Sequence, residues 1–213
     1  MHPTIQYASN SIINIKEYMK TDIILSGVGG QGILSIAAVI GTAAIESGLH
    51  VKQAEVHGMS QRGGAVQSHL RISDQPIHSD LIPEGECDII LSVEPMESLR
   101  YLPFLCKEGW VITNSTPFIN ISNYPEQEEI YKKIKELKNS VLIDADSIAA
   151  DVGTKKISNI VMLGAASGFL GLELDSLRNS IAALFGRKGD EIVQMNLQAL
   201  AAGQNEVKKQ MNI

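Results

Sequence analysis

Three glycines, at 27, 29 and 32, stand in G-x-G-x-x-G spacing directly after the apolar run Ile23-Ile24-Leu25 and directly before a long apolar stretch. A strand before and a helix after give that spacing chemical meaning. Gly27 allows a tight turn, Gly29 lets a ligand or another backbone come close, and Gly32 lets the helix start pack near the strand. Gly30 and Gln31 complete the turn, and the free N–H groups at the helix start favour an anion such as a phosphate. A tight strand-to-helix turn with nothing bound satisfies the same spacing.

A second concentration of chemistry lies at Glu55-Val56-His57-Gly58-Met59-Ser60-Gln61-Arg62-Gly63-Gly64. A connection this polar and glycine-rich is costly to order, which points to a bound ligand or an interface. Arg62 is the candidate anion contact, because a guanidinium stays charged and can hold a phosphate through two N–H groups. Ser60 and Gln61 add donors, and Gly63 and Gly64 permit close approach. His57 has the chemistry of a general acid or base, and equally of a hydrogen-bonded structural histidine. Glu55 stands 23 positions past Gly32, where a dinucleotide-binding enzyme places the acid that holds the ribose.

The elements that must position these loops follow from the apolar pattern. Ile23 to Leu25 reads as a buried strand, Ile33 to Ser47 as a helix apolar on every side, with Gly48 as its C-terminal cap, and Val51 to Val56 as a second strand. Together they form a βαβ unit, for which a right-handed connection is expected. Ala65 to Ile72 reads as a strand with one wet face, Asp88 to Pro95 as a buried strand feeding a helix through Leu99 to Leu105, and Trp110 to Asn114 as a further strand. An amphipathic helix over Glu126 to Lys138 leads to Val141 to Asp144, expected as the final central strand. Beyond Asp146 the pattern is helical: Ser147 to Asp151, Asn159 to Phe169, Leu174 to Phe185 and Asp190 to Ala202, with Gly186, Gly189 and Gly203 as stops. The small residues Gly164, Ala165 and Ala166 suit close packing within the monomer or against a second subunit. The expectation is an α/β, Rossmann-like, mostly parallel sheet flanked by helices with a helical C-terminal region. It forms one domain over 19–213, with C-terminal helices from about 147, after a weakly ordered extension over 1–18. Met19 suits a natural start.

Composition bounds the function classes. The 213 residues are 44% hydrophobic and 20% charged, as in an ordinary globular protein. With 18 basic against 24 acidic residues the formal charge is −6, which argues against a nucleic-acid partner. Cys87 and Cys106 form no C-x-x-C pair, so the chain by itself offers no iron–sulfur cluster, no structural zinc and no other metal site, and two buried free thiols are expected. No apolar run suits a membrane span and no signal-peptide pattern opens the chain, so a cytoplasmic protein is expected.

Gly-Val-Gly-Gly-Gln-Gly at 27–32, His-Gly-Met-Ser-Gln-Arg-Gly-Gly at 57–64 and Asn-Leu-Gln-Ala-Leu-Ala-Ala-Gly at 196–203 together resemble the gamma-type domain of the 2-oxoacid:ferredoxin oxidoreductases, closest to the small beta subunit of its indolepyruvate branch. The likeness runs from about Met19 to Gly203. It implies oxidative decarboxylation of an aryl pyruvate to an acyl-coenzyme A, with electrons passed to ferredoxin. In such enzymes thiamine diphosphate and iron–sulfur clusters do the hard steps. This chain has no Gly-Asp-Gly thiamine motif and no cysteine run. Both cofactors are therefore expected on a larger alpha subunit, leaving this chain without a catalytic residue of its own, and with Gly27 to Gly32, Glu55, His57 and Ser60 to Gly64 facing coenzyme A or the partner. Two other readings remain open from the residues: an independent NAD(P)- or FAD-dependent oxidoreductase, and a purely structural interface subunit. A subunit made to be covered is also expected to form a homodimer when isolated.

Overall fold

The computed structural model describes residues 18–57 and 64–212. The expected extension over 1–18 therefore lies, except for Tyr18, outside the described residues. Among the described residues six strands form one sheet: β1 (Lys20–Val28), β2 (His50–His57), β3 (Ala65–Ser73), β4 (Cys87–Ser92), β5 (Leu105–Asn114) and β6 (Ser140–Ile143). Seven α-helices among the described residues accompany them: α1 (Ile33–Glu46), α2 (Pro95–Arg100), α3 (Gln127–Lys135), α4 (Ala145–Val152), α5 (Ser158–Ala166), α6 (Leu174–Phe185) and α7 (Asp190–Met211).

Strand order is β2-β3-β1-β4-β5-β6. β1, β4, β5 and β6 pair in parallel, whereas β3 pairs antiparallel with both β1 and β2. Only β3 runs against the rest, so the sheet is mostly parallel, as expected. The departure is at β2. The connection between β2 and β3 is too short for a crossover and long enough for a hairpin, so β3 returns beside β2 and wedges between it and β1. β1-α1-β2 is thus a parallel unit whose two strands are not neighbours.

Alternation along the central strands divides the core. Ile23, Leu25, Ile89 and Leu91 join α1, α5, α6 and α7 in the large cluster on one face, while Ile24, Ile90 and Val111 join Ile82 and Tyr101 in a smaller cluster on the other. α1 ends in a Schellman turn, with Gly48 at φ +78°, its amide bonded to the Ile45 carbonyl and the Leu49 amide to Ala44. The helix is less enclosed than its composition suggests, because Leu34 and Ile45 stay exposed at 46% and 64%.

Three further boundaries differ from the sequence pattern. The helix expected through Leu99 to Leu105 ends at Arg100, and a 3-10 turn over Leu102–Phe104 leads to β5, which begins at Leu105. β6 lies at the sheet edge rather than its centre. Gly203 is not a stop: α7 runs through it to Met211, because Gly203 and Gly164 sit where α7 crosses α5. A Cβ on Gly203 would lie 1.9 Å from the Val161 carbonyl oxygen, and one on Gly164 2.0 Å from that of Leu200. The small-residue stripe is therefore spent on close helix packing inside the monomer.

Candidate functional site

The glycine turn takes shape from four local devices. Gly27 belongs to β1 and is extended; its missing Cβ makes room for Val93, whose Cγ2 would stand 2.4 Å away. Gly30 and Gly32 carry the turn itself at φ +103° and +82°, conformations that disfavour a side chain. Gly32 also accommodates Asn159 of α5, whose Nδ2 donates to the Gly32 carbonyl at 3.1 Å. Gln31 folds back so that its Oε1 accepts from the Val28 amide at 2.8 Å, and its Nε2 reaches toward the Val93 carbonyl at 3.5 Å. The expected packing of Gly32 near the strand is thus packing on α5, and Gln31 braces the turn.

Gly29 meets another backbone, as its position suggests: its amide donates to the Gly64 carbonyl at 2.9 Å. That bond joins the base of the second loop to the glycine turn. His57 ends β2 opposite Val66. Residues 58–63, including Ser60, Gln61, Arg62 and Gly63, lie outside the described residues, as does the placement of the His57 side chain. Glu55 is exposed, opposite Ser68, and its Oε1 accepts from Gln53 at 2.7 Å. With β3 intervening, β2 stands two strand spacings from β1, about 10 Å. A dinucleotide-type ribose contact needs that acid on the strand beside β1, so the topology removes the geometric basis for the NAD(P) reading of Glu55.

Among the described residues a cleft of about 560 Å³ opens outside the carboxyl ends of β1, β4 and β5. β1 leads to one side of the sheet and β4 begins the other, so the cleft sits at the topological switch point, where open α/β sheets bind ligands. Gly30 to Gly32 form one wall, and Thr116 to Phe118 another. Asn114 ends β5 and ties it to α4, accepting from the Ala145 amide at 3.0 Å and donating to Asp146 at 3.3 Å. Lys155, Lys156 and Lys188 supply positive charge on the rim, and Phe185, Ile192 and Met195 supply apolar surface. Apart from Gly30 to Gly32, the sequence reading missed these residues, because they come from widely separated segments. The only signals were the Lys-Lys pair after Gly153 and Asn196 at the head of the 196–203 motif.

Beside the cleft Glu94 is fully buried. Its carboxylate caps α2 by accepting from the Glu97 amide at 2.8 Å, and it also accepts from the Phe118 amide at 3.3 Å and from the Tyr124 hydroxyl. Burial pushes the carboxyl above its ordinary range despite these donors. Glu94 thereby fastens the 117–125 segment, one wall of the cleft, to the sheet. Cys87 is buried as expected, whereas Cys106 is only partly so. Among the described residues no three His, Cys, Asp or Glu side chains gather as metal ligands, and no helix is long and apolar enough to cross a membrane. The arrangement is suited to binding an anion and to covering another surface.

Comparison with known proteins shows the relatives of this chain. The family model described as pyruvate ferredoxin/flavodoxin oxidoreductase matches residues 22–206. The indolepyruvate oxidoreductase subunit IorB of Pyrococcus horikoshii is 36% identical over 209 residues, covering 93% of this chain and 100% of that one. IorB of Archaeoglobus fulgidus is 36% identical over 195 residues, covering 88% and 96%. Among solved structures, the keto/oxoacid ferredoxin oxidoreductase gamma subunit of Geobacter sulfurreducens superposes with a TM-score of 0.68 at 24% identity, covering 89% of this chain and 99% of that one. A 2-oxoglutarate:ferredoxin oxidoreductase from Magnetococcus marinus, with 2-oxoglutarate, coenzyme A and succinyl-CoA bound, superposes at 0.71 and 20% identity over 31% of its own chain.

Proposed function

The chain belongs to the pyruvate ferredoxin/flavodoxin oxidoreductase family, and on that premise we propose that it is the small subunit of an indolepyruvate:ferredoxin oxidoreductase. It works with a larger alpha subunit that carries thiamine diphosphate and the iron–sulfur clusters, and the assembled cytoplasmic enzyme converts an aryl pyruvate to an acyl-coenzyme A while ferredoxin takes the electrons. The observation that carries this reading is the match over the full length of a curated IorB subunit, in a chain with no thiamine motif and no cysteine run. Thiamine diphosphate supplies the carbanion chemistry when bound. This chain's own residues bind and cover.

Two surfaces support that role. The glycine turn and the base of the second loop are joined through Gly29 and Gly64, and on this reading the sequence of the loop supplies His57, Ser60, Gln61 and Arg62 as candidate donors for coenzyme A or the partner. Next to the turn, α1 exposes Leu34, Ala38 and Ile45 at helical spacing, an apolar stripe suited to burial by another chain. The same stripe gives the isolated subunit a reason to pair with itself. Co-expression with a larger subunit that carries a thiamine motif and cluster cysteines tests the assignment. Co-purification of both chains and ferredoxin reduction dependent on indolepyruvate and coenzyme A are the expected results; a small chain that neither co-purifies nor alters turnover overturns it. Arg62→Ala in the complex tests the anion contact, and unchanged coenzyme A affinity together with unchanged turnover would remove Arg62 from the site.

A further inference from the structure

We propose that β2 pairs edge to edge with β2 of a second copy of this chain, antiparallel and centred on Ala54, so that the two sheets become one. The pairing rests on the self-association of the isolated subunit put forward above, and it gives that association a surface and a register.

The two edges of the sheet differ. β6 is four residues long, and its Leu142 carbonyl accepts from the Gln210 amide of α7 at 3.2 Å. β2 is eight residues long and ends the strand order on the other side, with no strand beyond it among the described residues. Open edges are ordinarily blunted by shortness, proline, a bulge or lysines. β2 holds no proline and pairs with β3 through eight consecutive residues without a break in register. Its one lysine, Lys52, is drawn onto Asp80 at 3.1 Å, and Val56 stays 49% exposed. A strand this long and regular offers a row of outward N–H and C=O groups for another strand to meet.

The residues of β2 fit a second β2. Opposed residues of an antiparallel pair point to the same face, so two copies related by a two-fold axis pair residues whose numbers have an even sum. For the fullest overlap the axis passes through Gln53 or through Ala54. Centred on Ala54, Gln53 meets Glu55 of the second copy, and Lys52 meets Val56 of the second copy. The Gln53 amide donates to Glu55 of its own chain at 2.7 Å, so the same donor and acceptor chemistry is repeated across the axis. The methylenes of Lys52 cover the exposed Val56, and the smallest side chain of the strand stands on the axis itself. Centred on Gln53, Val51 would oppose the Glu55 carboxylate, an apolar group against a charge. α1 lies over this part of the sheet, where a Cβ on Gly41 would stand 3.9 Å from Val51 Cγ1. An axis perpendicular to the sheet keeps both copies of α1 on one face and draws the two apolar-striped helices toward each other. Because β2 runs parallel to β1, the two glycine turns come to opposite ends of the joint sheet, and each can face its own larger subunit.

The full chain alone provides the test. Sedimentation equilibrium at micromolar concentration gives the mass of a dimer. In a Cys106→Ser background, Ala54→Cys sets two thiols across the axis with Cα atoms about 5 Å apart, within disulfide reach, whereas Gln53→Cys sets them about 8 Å apart, beyond it. Mild oxidation therefore cross-links the Ala54→Cys chain at least fivefold more than the Gln53→Cys chain. Gln53→Lys leaves the dimer intact, because its ammonium meets Glu55 of the second copy. Gln53→Lys/Glu55→Lys sets lysine against lysine on both sides of the axis and weakens the dimer at least tenfold, while circular dichroism shows the fold retained. A monomeric parent, equal cross-linking at the two positions, or a double variant that dimerises like the parent overturns the proposal. A chain that pairs in this register yet fails to co-purify with a larger subunit keeps the interface and loses the oxidoreductase assignment.

Discussion

Replacing Gly203 by alanine puts a single methyl group into the crossing of α5 and α7. The new Cβ would lie 1.9 Å from the Val161 carbonyl oxygen, where ordinary contact begins at 3.4 Å, so the two backbones must part by about 1.5 Å. The obstacle is main chain rather than a flexible side chain, and separation loosens buried Val161, Ala199, Leu200 and Val207 together. Overpacking of this kind costs about 3 kcal/mol or more. Against it stands the helix-propensity gain of alanine over glycine, about 1 kcal/mol. The net loss of about 2 kcal/mol lowers the melting temperature by about 4–8 °C in a chain of this size. Gly41→Ala is the internal control: it too is a helical glycine, but its Cβ would meet Val51 Cγ1 at 3.9 Å, an ordinary contact. It should therefore raise the melting temperature by about 2–4 °C, from about 1 kcal/mol of propensity. Differential scanning calorimetry of the pair reads both signs. A Gly203→Ala chain as stable as the parent would refute the close crossing.

Other outcomes follow from buried charge and thiol chemistry. Asp22 is fully buried and held by Arg71 through Nε at 2.7 Å and Nη2 at 2.9 Å, with Lys20 at 3.0 Å. Arg71→Met leaves that carboxylate with the lysine alone and should cost about 3 kcal/mol by urea unfolding; a loss below about 1 kcal/mol would show the pair to be unimportant. Burial raises the folded carboxyl pKa of Glu94 above its ordinary value in the unfolded chain, so the folded state holds its proton more tightly. Its contribution is fully present below that value and is lost as pH rises through the folded pKa. Glu94→Gln should remove this decline, and a variant-minus-parent melting difference that is the same at acid and neutral pH would contradict it. Burial pushes the Cys87 thiol up to about 12, while Cys106 is partly accessible. Iodoacetamide at mildly alkaline pH should therefore add one label per native chain, at Cys106, and two after unfolding, as counted by mass spectrometry.

Much of the architecture is written locally. The run Ile23 to Leu25, the glycines after it and Gly48 after α1 specify a strand, a turn and a capped helix through backbone freedom and apolar period, and each depends only on neighbours in the chain. The family likeness at 27–32, 57–64 and 196–203 is of the same local kind. What local pattern could not decide was which strands become neighbours. β3 wedges between β1 and β2 because a short connection favours a hairpin, and that displaces Glu55 from the place a dinucleotide site would need. Gly203 looked like a helix stop because a glycine without its partner helix is indistinguishable from a cap; only the carbonyl of Val161 reveals that it is a crossing point. The cleft shows the same limit. Lys155, Asn196 and the glycine turn are more than a hundred residues apart at the extremes, and their common field exists only once the carboxyl ends of β1, β4 and β5 bring them to one side of the sheet. Local sequence determines which backbone each segment prefers, while the meeting of charges and acceptors across distant segments is decided by the packing of the whole sheet.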